Sequence, residues 1–203
     1  MSKHEQYILK REDHHLIFRI KGKRKGKRHE VDKRYVVLKY NRLEYTKENL
    51  ALLSEQIRSS LSDDLLSRKF CEDYPVGHER RKRRFFGYCV PATFACLYFM
   101  DTDLLAPVTG KDETGEGHWW LADKSTNEII DLTKEQFTDD ELAQVYATGK
   151  PKGYYGGRNP NYEMPASRFF RLMHKVQPTS VLYETNDPDA EDNNLTEFLI
   201  NGE

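Results

Sequence analysis

Residues 87–137 read GYCVPATFACLYFMD, then TDLLAPVTGKDET, then GEGHWWLADKSTNEIIDLTKEQF. Cys89 to Phe99 is the most apolar run in the chain and has the length of a buried helix. Pro91 suits its first turn, where a missing N–H costs nothing, so Cys89 falls at or just before the helix N-terminus. His118 opens an alternating strand, HWWLA; Lys124–Asn127 reads as its turn, and residues 128–132 as the returning strand. The hairpin register then sets His118 opposite or nearly opposite Asp131. Cysteine, histidine and aspartate thus follow one another on a helix start, a strand and a strand. That order suits a thiol nucleophile, its base and the acid that orients the base.

Working outward from this stretch, Thr133 with Gln136 and Thr138 with Glu141 form two successive capping-box patterns, and the second helix should end at Gly149. Residues 150–164 read as a Gly/Tyr/Pro loop, followed by a helix from Pro165 and a strand near 179–184. On the other side, 101–117 is turn-rich and 71–86 reads as loop. Ser62 is placed to cap one short helix carrying Leu65, Leu66 and Phe70, and Thr46 a longer one carrying Leu50, Leu53 and Ile57. Residues 15–20 and 34–40 alternate as strands around a basic loop, with residues 1–6 frayed. These segments group as an N-terminal hairpin-and-helix extension (1–86), a Cys-His-Asp core (87–185) and an acidic flexible tail (186–203). The fold class expected is α+β: a Cys-headed helix packed on an antiparallel sheet.

Each member of the trio also has a plainer reading. Free cysteines often simply pack in cores, and Cys96 in mid-helix and Cys71 before a loop are read that way. His118 can be a strand-end surface residue, and Asp131 an Asx-type cap for the helix after it. Trp119 and Trp120 face opposite sides of their strand; packing explains both, although Trp120 is also a candidate cleft wall. It is the ordered trio that favours chemistry. A helix N-terminus promotes thiolate and offers N–H groups to an oxyanion, and a carboxylate beside an imidazole holds one nitrogen protonated and leaves the other as base. Tyr154, Tyr155 and Arg158 are candidate substrate-binding residues if the 150–164 loop folds over the site. A Cys3His zinc site from Cys71, Cys89, Cys96 and His118 has the wrong spacing, with no CxxC pair, so neither metal nor other cofactor is expected.

The chain of 203 residues carries a net charge of -1, which gives no global field toward nucleic acid or membrane. Its charge is nonetheless segregated into two basic runs and the acidic tail. Lys23, Arg24, Lys25, Lys27 and Arg28 in the first run, and Arg81, Lys82, Arg83 and Arg84 in the second, are candidate contacts to nucleic acid or an acidic host protein. Solvated loops, or pairing with the chain's own acidic tail, are the alternatives. Three cysteines, no apolar run that spans a bilayer and no signal-peptide pattern point to a reducing cytoplasm.

CysValProAlaThr, GlyHisTrpTrpLeu and IleIleAspLeuThrLysGluGlnPhe together resemble a papain-like or transglutaminase-like core. More closely they resemble small phage and bacterial proteins of the YunG-like type, in which an Ile-Asp-Leu-Thr segment precedes Gln-Phe. GlyGlyArgAsnPro (156–160) and ProAlaSerArg (165–168) extend the likeness, which covers about 87–175. The resemblance implies a papain-like fold with Cys89 as nucleophile, His118 as base and Asp131 as orienter. It also implies acyl chemistry on a peptide, amide or ester in a cytoplasm, the host's if the chain is phage-encoded. The rival expectation is a non-catalytic binding protein on the same fold, docking through its basic loops.

Overall fold

A computed structural model describes residues 6–12, 15–20, 35–39, 41–152, 166–177 and 180–184. It is mixed helix and sheet, an α+β chain, and divides into two compact units: residues 42–154, and residues 1–41 with 155–203. The chain therefore does not divide at 86/87. The helix capped by Thr46 belongs with the Cys-headed helix, and the C-terminal strand belongs with the N-terminal hairpin. Residues 42–86, expected as part of an N-terminal extension, share the unit that carries Cys89, His118 and Asp131.

In the second of these units β1 (Gln6–Glu12), β2 (His15–Ile20) and β3 (Tyr35–Lys39) pair antiparallel in succession. β1 has no counterpart in the sequence expectation, which has only a frayed start. Its register against β2 shifts between Ile8 and Lys10, and an interrupted alternation is a weak strand signal.

The 42–154 unit begins with β4 (Leu43–Glu44) and α1 (Lys47–Ser60), whose cap is Thr46 accepting from the Asn49 N–H. Leu53 and Ile57 point α1 into the core. The single helix expected from Ser62 is instead a 3-10 turn at Asp63–Leu65 and a separate α2 (Arg68–Asp73) capped by Ser67. Ser62 donates its hydroxyl to the Asp64 carboxylate and makes no side-chain cap. A further 3-10 turn, Glu79–Lys82, occupies part of the expected loop.

Then comes α3 (Cys89–Phe99), with Tyr88 as N-cap. Ten of its eleven residues are buried, as an all-round apolar helix requires. β5 (Met100–Asp101) pairs with β4, and β6 (Leu105–Lys111) and β7 (Gly117–Asp123) form a long antiparallel ladder. β6 departs from the turn-rich expectation for 101–117, which rests on Pro107 and Gly110; the proline is tolerated where the outer neighbour is only two residues long. β8 (Ile129–Ile130) follows a turn at 124–127 in which Asn127 takes φ 60° and Asp123 accepts from Ser125 and Thr126. α4 (Asp139–Ala147) carries the complete Thr138–Glu141 capping box, and β9 (Lys150–Pro151) closes the sheet order β8-β7-β6-β9. α3 packs on β6 and β7, and α1 packs on α3.

The chain returns to the first sheet through α5 (Ala166–Val176), where Leu172 and Met173 are buried, and β10 (Ser180–Glu184), which pairs with β3. Among the described residues no helix is long and apolar enough to cross a membrane.

Candidate active site

Cys89 is the first residue of α3, and the approach to it is tightly specified. Gly87 has φ 90°, and a Cβ there would lie 2.4 Å from the Phe70 ring, so only glycine fits. Tyr88 anchors its hydroxyl on Asp63 at 2.8 Å. One turn along from Cys89, Thr93 donates to the Trp119 carbonyl at 3.0 Å. That bond locks the face of α3 bearing Cys89 against β7 at the residue next to His118.

His118 sits in β7 opposite Gly110 of β6. A Cβ at Gly110 would come within 2.3 Å of the Val145 carbonyl oxygen, so this glycine lets α4 close onto the sheet behind the histidine. The β7–β8 register pairs Leu121 with Ile130, which sets Asp131 across from Trp120, two residues short of His118. His118 and Asp131 are thus diagonal neighbours on one face, not directly opposed. The chain leaves the sheet after Ile130, and His118 Nε2 lies 2.6 Å from Asp131 Oδ2. Both side chains are 1% exposed.

Asp131 has four donors on two oxygens. Oδ2 also accepts from the Tyr146 hydroxyl at 2.9 Å, while Oδ1 takes the Thr133 N–H at 2.9 Å and the Thr133 hydroxyl at 3.3 Å. Oδ1 thus makes the Asx-type contact to Thr133 and Oδ2 meets His118, so the two readings of Asp131 fall on separate oxygens. The same carboxylate pushes the Tyr146 hydroxyl well above the ordinary tyrosine range, after burial, which acts the same way. For His118, burial disfavours the charged ring. Hydrogen bonding and charge attraction from Asp131 and from the Cys89 sulfur outweigh it and bring the pKa up to about 9. The three expected residues therefore interact in succession, Cys89 with His118 and His118 with Asp131.

The surroundings hold the imidazole still. Trp120 stacks near it with centroids 5.7 Å apart, and Phe137 presents an edge at 4.8 Å. Trp120 is 2% exposed and packs with Val108, Val145 and Tyr146, so it is not a cleft wall. It supports the triad from behind, and glycines at 110 and 149 make room for its indole. Cys89 itself is 7% exposed. Cys96 is sealed in the core, its thiol pushed up to about 12 by burial, and Cys71 is exposed with the Arg81 guanidinium 3.8 Å from its sulfur. Among the described residues no group of three or more His, Cys, Asp or Glu side chains could hold a metal ion.

Tyr146 carries no signal of its role in the sequence, and Gln136 is marked only as the Gln of the Gln-Phe motif, which assigns it no role. The Thr133–Gln136 pattern predicts a capping box, but the segment is only a 3-10 turn, Lys134–Gln136, and Thr133 makes no side-chain cap. Gln136 instead donates Nε2 to the Thr133 carbonyl at 2.9 Å and lies 3.3 Å from His118 Nδ1. The one available hint is the second capping box starting at Thr138, which leaves the first no room for more than one turn.

The second basic run is spent within its own unit. Arg80 bonds Glu116, Thr114 and Asp112 in the loop before His118. Arg81 pairs with Asp63 at 2.7 Å and Lys82 with Glu79 at 2.6 Å. Arg83 grips Glu141 at 2.9 Å and the Gln136 carbonyl at 3.3 Å. Arg84 lies over Phe85, which Arg58 also covers. Four of these five cations pair with carboxylates of their own unit, and Arg84 lies over an aromatic ring. Arg80 ties the segment before Cys89 to the loop before His118, and Arg83 ties it to Gln136 and Glu141. Lys23, Arg24, Lys25, Lys27, Arg28, Tyr154, Tyr155, Arg158 and the acidic tail lie outside the described residues.

No family model, curated protein or solved structure matches the chain.

Proposed function

We propose that the chain is a cysteine hydrolase or acyltransferase acting on an amide or ester, with a papain-like arrangement of its site. One observation carries this: the cysteine at the head of α3 interacts with a histidine whose Nε2 is held 2.6 Å from a fully satisfied carboxylate. Nε2 belongs to Asp131, so Nδ1 is the nitrogen that takes the thiol proton. Sγ adds to the substrate carbonyl carbon, and the C=O electrons move to oxygen. As the intermediate collapses, His118 gives its proton to the departing amine or alcohol, leaving a thioester. Water or an acceptor amine then adds to that thioester, with His118 again taking and returning the proton. Pro91 has no N–H, so the first-turn donors that face a developing oxyanion are the Cys89 and Val90 amides. The motif likeness to YunG-like proteins supports the same roles.

The test is labelling by a carbonyl-mimicking electrophile, with the modified cysteine located by mass spectrometry. Exposure and the adjacent Arg81 make Cys71 reactive for unrelated reasons, so the experiment uses the Cys71→Ser chain. An adduct on Cys89 that His118→Ala suppresses is the expected result. No adduct on Cys89, or one indifferent to His118, overturns the reading.

A further inference from the structure

Gln136 occupies a place the triad alone does not explain. Its side chain is buried within the site, 4% exposed, and the amide orientation is decided by chemistry. The atom 2.9 Å from the Thr133 carbonyl oxygen must be nitrogen, because a carbonyl only accepts. That NH2 group has two hydrogens. One goes to Thr133, and the other is directed at His118 Nδ1, 3.3 Å away. Nδ1 has a single in-plane site, either a lone pair or a proton. When it holds a lone pair it accepts from Gln136; when it holds a proton, two N–H groups oppose each other.

We propose that Gln136 is a positioning residue that competes with the Cys89 proton for His118 Nδ1, opposing the imidazolium that Asp131 favours and so setting how readily the thiol transfers its proton. The inference rests on the acyl-chemistry reading, in which Nδ1 is the base. Asp131 and Gln136 then act on opposite ends of one ring in opposite senses. Asp131 accepts from Nε2–H and favours the imidazolium. Gln136 donates to Nδ1 and favours the neutral form. When the S–H bond breaks and the N–H bond forms, Gln136 loses its acceptor at Nδ1. Arg83, bonded to the Gln136 carbonyl, and Phe137, against the ring, hold the residue in that position. The titratable groups facing the ring are Cys89 from α3 and Asp131 after β8, with the Tyr146 hydroxyl of α4 on Asp131. β6 contributes Gly110 opposite the ring and exposed Lys111 one residue on.

The experiment follows the His118 ring by NMR as pH is raised, in the full-length Cys71→Ser chain, with Gln136→Leu and Gln136→Glu compared. Leucine removes the donor, and glutamate, close in shape, replaces it with an acceptor. The His118 midpoint should rise about fivefold in proton affinity with leucine, the population change one neutral hydrogen bond supports, and further with glutamate. A midpoint that stays or falls in both variants overturns the proposal. The glutamate variant keeps the test decisive if the leucine variant fails to fold. Cys89 labelling with and without His118→Ala, run in parallel, separates the two ideas. If labelling depends on His118 and the midpoint is unmoved by Gln136, only the Gln136 role fails. If labelling ignores His118, the reading beneath it fails.

Discussion

Two charged assemblies of the 42–154 unit are built from the same bond and behave as opposites. His118 and Asp131 meet with both side chains 1% exposed, whereas Arg83 and Glu141 meet with 39% and 26% exposed. A buried pair has surrendered its hydration, so removing one partner strands the other, at a typical cost of about 3–5 kcal/mol. Exposed pairs keep water as an alternative partner and contribute about 0–1 kcal/mol each. Burial therefore concentrates energy in a few atoms that can be tuned for proton transfer. Exposure spreads it over several replaceable ties that hold segments in register.

The sharpest way to break the contrast is at its buried end. His118→Ala should slow Cys89 alkylation about 100-fold or more near neutral pH, the lower range for losing a positioned base. Mass-spectrometric rates in the Cys71→Ser background measure it, and an unchanged rate would reduce the site to a cysteine on a helix. Asp131→Asn is the next largest. The amide can still accept from Thr133, but its NH2 then confronts Nε2–H and the Tyr146 hydroxyl, both donors. Thermal melting should fall by an amount corresponding to about 3 kcal/mol, with alkylation slowed alongside. A variant melting like the parent would show that the carboxylate charge is not what the ring needs.

A third test uses pH instead of substitution. The folded His118 pKa lies near 9, above the 6.5 of a free ring, so folding is favoured by the protonated form. Its stabilising contribution is complete below about pH 6.5 and is lost as pH rises through about 9. Chemical denaturation between about pH 6 and 10 should show stability falling across that window in the parent chain. His118→Gln should remove that part of the slope. A parent whose stability rises with pH there would mean the ring is held neutral in the fold more strongly than Asp131 and Cys89 can offset.

How much is legible in the sequence divides along the same line. Cys89, His118 and Asp131 are readable because apolar length, strand alternation and turn residues are local signals, and those signals place them on one helix and one hairpin. Their geometry is only half readable. The register runs two residues off direct opposition, and the contact is made because the chain leaves the sheet after Ile130. β6 is hidden by Pro107 and Gly110, which read locally as turn and are tolerated for tertiary reasons: a two-residue outer neighbour and the approach of α4. Gln136 and Tyr146 depend on where α4 and the preceding turn pack, which no local pattern records. The arginine run is legible as charge but not as contacts, for the same reason. A row of cations looks like a free face until its partners, 18 to 58 residues away for Arg80, Arg81 and Arg83, are brought beside it.

The smallest expected effects are at that run, and they sharpen the comparison because little should happen. Arg83→Gln removes the ties to Glu141 and to the Gln136 carbonyl. Stability should drop by about 1 kcal/mol or less, and a double-mutant cycle with Glu141→Gln should recover part of it as coupling, weaker at high salt. The same charges bear on polyanion binding. Were residues 80–84 a phosphate-binding surface, neutralising them would flatten the salt dependence of DNA or RNA affinity by about 0.9 log unit per lost contact on duplex DNA. Arg80, Arg81, Lys82 and Arg83 already sit on carboxylates, so each would have to give up one partner to gain another. Glutamine at 82 and 84, which leaves the long-range ties of Arg80, Arg81 and Arg83 intact, should therefore leave both affinity and salt slope unchanged in a binding series from low to high salt. A slope that flattens by one to two contacts would show that the run reaches outward after all, and its ion pairs would then be a resting arrangement that phosphate displaces.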